Sequence, residues 1–178
     1  IALGEIGNVS TIPVLITAMQ NDPNSSVRSS SARALGKIGD PSAVPALEAA
    51  ITNDPEIILS IKDSLIDIGD TTAVLVLGDI MLDESYDFFF RWDIPKALGD
   101  IGNPAAVPDL NYAFKYTDLS HQAKNALVRI GDATAVQAFS NNLLDFELEL
   151  HIRYDSVRSL KEIGDPLAVP ALTQALLN

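Results

Sequence analysis

The chain has 178 residues, 47% of them hydrophobic, with 24 Asp and Glu against 12 Lys and Arg, a formal net charge of −12. That balance argues against nucleic acid and against anionic membranes as partners, because both require a surplus of Lys and Arg at the contact. The absence of cysteine excludes disulfides, thiolate nucleophiles and cysteine-based zinc sites; no apolar run approaches the roughly 18 residues of a membrane span and no signal segment is legible, so the expected setting is cytoplasmic.

Along the chain the dipeptide Ile-Gly recurs at Ile6-Gly7, Ile38-Gly39, Ile68-Gly69, Ile101-Gly102, Ile130-Gly131 and Ile163-Gly164, each time followed by Asp or Asn. The glycines are 32, 30, 33, 29 and 33 residues apart, which indicates a stack of one supersecondary unit. Four residues before each glycine stands a leucine (Leu3, Leu35, Leu65, Leu98, Leu127, Leu160). Five residues after it stands Ile12, Val44, Val74, Val107, Val136 or Val169, and eight after it Leu15, Leu47, Leu77, Leu110, Phe139 or Leu172. Apolar spacings of three and four residues predict two amphipathic helices flanking each glycine.

The turn has a mechanism. Glycine supplies the left-handed C-cap of one helix, and the Asp or Asn beside it N-caps the next. Pro41, Pro104 and Pro166 follow where a missing N–H costs nothing. Pro13, Pro45, Pro108 and Pro170 lie one turn further on, which predicts a kink or a delayed start. In chain order, the helices after the glycines (A) are expected at 9–20, 41–52, 71–82, 104–115, 133–144 and 166–177. Those before the glycines (B) are expected at 26–38, 56–68, 88–101, 118–130 and 149–163, with a fragment at 1–6. Residues 146–152 alternate like a strand, but their place in the repeat assigns them to the start of a B helix. Pro95 should bend the B helix that contains it. Stacked pairs share one continuous core, so the expected fold is an all-α, right-handed solenoid: a single domain over 1–178 of five helix pairs, with a partial helix at 1–6 and a terminal helix at 166–177. A chain that starts within a B helix and stops after an A helix is expected to be a piece of a longer array, or to self-associate through its uncapped ends.

The series Val27-Arg28, Ala34-Leu35, Ile38-Gly39-Asp40, Ala43-Val44-Pro45, Leu47 resembles the HEAT-like repeat of the phycobilisome-lyase type, and the resemblance extends over essentially the whole chain. It implies that B helices line a concave surface, and that the Arg eleven residues before the glycine pairs with turn aspartates of neighbouring repeats. That position holds Arg28, Arg91 and Arg153, but also Ile58 and Ser120, so the ladder is expected to be interrupted.

Outward positions on the B helices should fall ten, six and two residues before each glycine. The first row reads Ser29, Leu59, Trp92, His121 and Tyr154; the second, Arg33, Asp63, Lys96, Asn125 and Arg158; the third, Lys37, Asp67, Asp100, Arg129 and Glu162. Aromatic groups in equivalent positions on a rigid wall are a binding surface, and Arg33, Lys96 and Arg158 are placed to receive carboxylates of a partner. The alternatives are burial of the aromatics between layers and a merely solvated charged face. A second candidate is the segment 83–93, dense in aromatics, whose Phe88 and Phe89 either form an exposed rim or pack on Tyr112, Phe114 and Tyr116.

No phosphate-binding glycine loop, Gly-x-Ser-x-Gly or His-Glu-x-x-His motif is present. The two histidines, His121 and His151, are not followed by Glu, unlike the iron-binding pairs of HEAT-like deoxyhypusine hydroxylases. The reading is therefore a non-catalytic scaffold that binds a protein partner on its concave face through Leu59, Trp92, His121, Tyr154, Arg33, Lys96 and Arg158, with no cofactor and no metal. The resemblance implies two alternatives. One is a bilin lyase subunit or phycobiliprotein chromophore chaperone, in which Trp92, His121 and Tyr154 face the bilin rings and Arg158 or Lys96 the propionates. The other is a HEAT-like nucleic-acid repair protein, which the negative charge disfavours.

Overall fold

Gly39, with φ of 72°, and Gly131, with φ of 56°, close their helices in the left-handed conformation that a Cβ would strain, and the residue after each starts a new helix. The computed structural model describes residues 8–177; the expected fragment at 1–6 lies outside them. At every described Ile-Gly turn the Asp or Asn carboxylate or amide oxygen accepts from backbone N–H groups of the next helix. Asp40 accepts from Ser42, Asn103 from Ala105, Asp165 from Leu167, Asp70 from Ala73, and Asp132 from both Thr134 and Ala135.

The chain forms two compact units, Ile1–Leu77 and Gly78–Asn178. The first contains α1 (Ile12–Asn21), α2 (Ser25–Ile38), α3 (Val44–Asn53) and α4 (Ile58–Ile68). The boundary falls within α5 (Thr71–Leu82). The second unit continues with α6 (Phe88–Arg91), α7 (Ile94–Ile101), α8 (Val107–Tyr116), α9 (Ser120–Ile130), α10 (Ala133–Leu144), α11 (Leu150–Ile163) and α12 (Val169–Leu177). The fold is all-α and built of repeated helix pairs, and no strand occurs among the described residues. The segment before α11 is a turn, in which Asp145 accepts from the N–H of Glu147.

Prolines decide how each A helix starts. Where the second proline is present, at Pro13, Pro45, Pro108 and Pro170, a 3-10 turn precedes the α-helix: Val9–Thr11, Pro41–Ala43, Pro104–Ala106 and Pro166–Ala168. Pro45 has no hydrogen to give the carbonyl of residue 41, and its ring would strike that carbonyl. The first bond is therefore the shorter Ala43 N–H to Asp40 C=O, at 3.1 Å. Where Leu75 and Gln137 replace proline, the helix begins at once, with Val74 N–H on Asp70 C=O and Val136 N–H on Asp132 C=O.

Inside each unit the repeat positions form the core. Leu35, Leu65, Leu98, Leu127 and Leu160, and Val44, Val74, Val107 and Val136, are all buried. B helices stack on B helices, α2 on α4 and α7 on α9. Small residues permit the approach: a Cβ on Gly36 would lie 2.7 Å from the Cα of Ser64, and one on Gly99 2.9 Å from the Cα of Ala126.

The arginine ladder alternates. Arg28 donates to Asp54 and Glu56 of the next repeat and to the Asp22 carbonyl of its own turn. Arg91, buried, donates to Asp118 of the next repeat and to the Met81 and Tyr86 carbonyls. Arg153 caps the Leu143 carbonyl and stacks on Phe146, 4.2 Å from its ring centre. Ile58 and Ser120 occupy the arginine position in the very repeats whose turn acids, Asp54 and Asp118, receive the arginine of the preceding repeat. The interruptions read from sequence are thus one half of a two-repeat pattern, with one staple in each unit.

Replacing Asp118 by Ala removes both side-chain acceptors of Arg91 while leaving its two carbonyl contacts. Urea unfolding is expected to show a loss of about 1–3 kcal/mol, the value of hydrogen bonds to a charged group, and an unchanged stability would show that the staple is idle.

Candidate functional site

The helical phase that buries Leu98, Leu127 and Leu160 turns the intervening positions outward. Leu59, Trp92, His121 and Tyr154 are exposed, as are Arg33, Lys96 and Arg158. Ser29, in the same row, is half-buried. The exposures of Leu59 and Tyr154, both 61%, and of Trp92, 48%, exclude burial between layers as the role of these groups.

Pro95 does more than bend its B helix. It cannot donate to the carbonyl of Arg91, so α6 ends at Arg91 and α7 restarts at Ile94, with Trp92 and Asp93 in the break. The indole of Trp92 stands edge-on to Phe88, with centroids 5.1 Å apart, and Phe88 in turn meets Phe89 at 5.6 Å. Phe89 is 81% exposed. Tyr112 pairs with Tyr116, and Phe114 with Phe139, so Phe89 belongs to an exposed rim and does not serve as packing for the next repeat.

Within the second unit Trp92 forms one wall of a cavity of about 300 Å³ between α7 and α9. Asp93, Lys96, His121, Gln122, Asn125, Ala126 and Arg129 complete it. The close pass of Gly99 on Ala126 provides a small-residue floor. His121 shares a hydrogen bond of 3.2 Å with Asn125. Lys96 and Arg129 converge on one carboxylate, Asp100, the former at 2.7 Å. The Lys96 hydrogen bond, assisted by Arg129, holds the Asp100 carboxyl below the usual carboxylate range. The side-chain oxygen Oε1 of Gln122 is buried and has no hydrogen-bond partner.

At the equivalent positions of the first unit the side chains bond one another. Ser29 stands where Trp92 does and Ser60 where Gln122 does; their hydroxyls bond each other at 2.6 Å, and Arg33 donates to Ser60 at 3.3 Å. The structure therefore brings Trp92, His121 and Lys96 together in one cavity. Arg33 and Leu59 belong to the first unit, and Tyr154 and Arg158 lie on α11, outside the cavity lining. Sequence reasoning placed Asn125 and Arg129 in outward rows without choosing them, and passed over Gln122. The signal for Gln122 was its repeat register, a long amide where the other unit has serine.

Among the described residues no group of three or more His, Asp and Glu is gathered as a metal site would require, and no helix is long and apolar enough to cross a membrane. A model of HEAT repeats matches residues 1–65, and a model of the PBS lyase HEAT-like repeat matches residues 152–178. No curated protein matches the chain. Among solved structures, the complex of CpcE and CpcF of phycocyanin lyase from Nostoc sp. PCC7120 is similar at 21% identity and a TM-score of 0.53, over 96% of this chain and 71% of that one. Human deoxyhypusine hydroxylase in complex with glycerol aligns at 21% identity and a TM-score of 0.49, over 97% of this chain and 69% of that one. The likeness to the lyase complex shows the fold and nothing more.

Because the folded Asp100 carboxyl titrates below its unfolded value, its contribution to stability is complete above the ordinary aspartate pKa of about 3.9. That contribution is lost as pH falls through the lowered folded value. Melting temperatures measured between neutral and acid pH are expected to fall less steeply for Asp100→Asn than for the wild type over that window; parallel curves would refute the coupling to Lys96 and Arg129.

Proposed function

We propose that this chain, which belongs to the HEAT-like repeat proteins, is a non-catalytic scaffold that binds a protein partner on the B-helix face. The observation that carries the reading is the exposure of large side chains at one repeat position: Leu59, Trp92 and Tyr154, with His121 in the same row. Water-exposed aromatic surface of this size is costly to leave uncovered and is enriched at the centres of protein interfaces. The exposed Phe89 beside Trp92 extends the apolar area. Charged groups occupy the next outward row of the B helices. Arg158 has no ion-pair partner among the described residues and is placed for a partner's carboxylate. Arg33 and Lys96 are tied within the chain by Ser60 and Asp100, so they would exchange one contact for another, and rim contacts of this kind contribute little net affinity.

A second reading is a bilin lyase subunit or phycobiliprotein chromophore chaperone. What favours it is the match of residues 152–178 to the PBS lyase HEAT-like repeat. Such a protein would shift the visible absorbance of added bilin, whereas the scaffold reading expects an unchanged spectrum.

The test of the scaffold is affinity capture from the source lysate with the wild type and a Trp92→Ala/Arg158→Glu variant. A partner recovered by the wild type should be reduced at least tenfold with the variant, because central aromatic anchors are each worth 2 kcal/mol or more. Equal recovery by both proteins would remove the B-helix face as the contact surface.

A further inference from the structure

We propose that the second unit carries a proton-sensitive seam: the Asp109 carboxylate of α8, set against α5 at Gly78, loosens residues 78–82 while it is ionised and lets them tighten when it takes up a proton. The geometry follows from a missing side chain. A Cβ on Gly78 would overlap Oδ2 of Asp109 and lie 3.0 Å from its Cγ, so the carboxylate fills the place that a side chain on α5 would take. Gly78 is buried and Asp109 half-buried. Asp109 stands in the first turn of α8, where a carboxylate ordinarily gains from the helix N-terminus and its free N–H groups. Here the preceding turn has its own partners, since the Ala105 N–H donates to the Asn103 side chain and the Ala106 N–H to the Asn103 carbonyl. Among the described residues the Asp109 carboxylate has no hydrogen bond and no ion pair.

The surrounding elements supply no counter-charge. The charged groups on α5 and at its C-terminal end are Asp79 and Asp83, and α10 has none. On α8 itself Lys115 lies over the ring of Tyr116. On α9 His121, Lys124 and Arg129 are engaged with Asn125, Asp155 and Asp100. Burial, and after it the charge of Asp79, push the Asp109 carboxyl above the usual carboxylate range, because both penalise the charged form. The folded chain therefore holds this proton more tightly than the unfolded chain does. The cost of the charge is present in full above the raised folded value, falls as pH drops through it, and is gone below the ordinary aspartate pKa of about 3.9. Asp100 acts in the opposite sense, its contribution being lost in acid, so the seam has to be read locally.

Hydrogen exchange of the full chain, followed by mass spectrometry from neutral pH to about pH 5 and corrected for the intrinsic rate at each pH, tests this at the amides of residues 78–82. In the wild type their protection should rise on acidification, with a slope of at most about tenfold per pH unit, the limit for one proton. Asp109→Asn keeps the shape and removes the charge, so its protection should be higher at neutral pH and flat across the range. Asp79→Asn removes only the second cause; it should raise protection by less and move the rise to lower pH. Three results overturn the proposal: protection at 78–82 that does not change with pH in the wild type, wild-type protection in Asp109→Asn at neutral pH, or an equal rise at the amides of α9, which would make the effect global. None of the three touches the B-helix face, so the scaffold reading stands or falls by its own test.

Discussion

An amide that carries no hydrogen governs where helices in this chain begin, and through that which side chains reach solvent. At Pro45, Pro108 and Pro170 the missing donor forbids the first α-type bond, so a 3-10 turn is inserted and the helix starts three residues late. The delay is tolerated because Asp40, Asn103 and Asp165 already satisfy the first free N–H groups. At Pro95 the same constraint acts within a B helix and splits it. The two residues of the break, Trp92 and Asp93, are the ones that wall the cavity.

The two units use one repeat pattern for different ends. Each has a B-on-B contact with a glycine at the closest pass, Gly36 in one and Gly99 in the other. Each has one arginine that ties its own turn to the acid of the next repeat. Above this shared frame the residues differ where no core constraint acts. A hydrogen-bonded serine pair stands in the first unit where the second has an indole and a glutamine amide. The shared frame beneath does not dictate this difference, since both units bury the same repeat positions.

Much of this was legible before the structure, for physical reasons. A left-handed cap admits glycine and little else, so the recurring glycine marks each described turn; a period of 3.6 then assigns each remaining position to core or solvent, and Leu59, Trp92 and Tyr154 face outward as that phase requires. What escaped depends on contacts between distant residues. The arginine ladder reads as interrupted at Ile58 and Ser120 because one-dimensional register compares like with like, while the pairing joins an arginine to an acid 26 or 27 positions on. The rim role of Phe89 follows from which rings meet, and sequence alone leaves that open. Gln122 is ordinary as a letter and informative only as an oxygen that nothing reaches.

The staples also bear on how such a chain can change its length. Arginine recurs at 28, 91 and 153, steps of 63 and 62 residues, twice the spacing of the glycines. Layers bearing an arginine alternate with layers bearing its acceptor, as in a two-letter code. Duplication of two adjacent repeats keeps the letters in order. Gain or loss of one repeat sets an arginine against a layer whose turn acid, like Asp22, Asp83 or Asp145, is already bound to its own backbone. Inserting or removing one repeat therefore breaks the alternation of arginine and acceptor layers, whereas inserting or removing two preserves it.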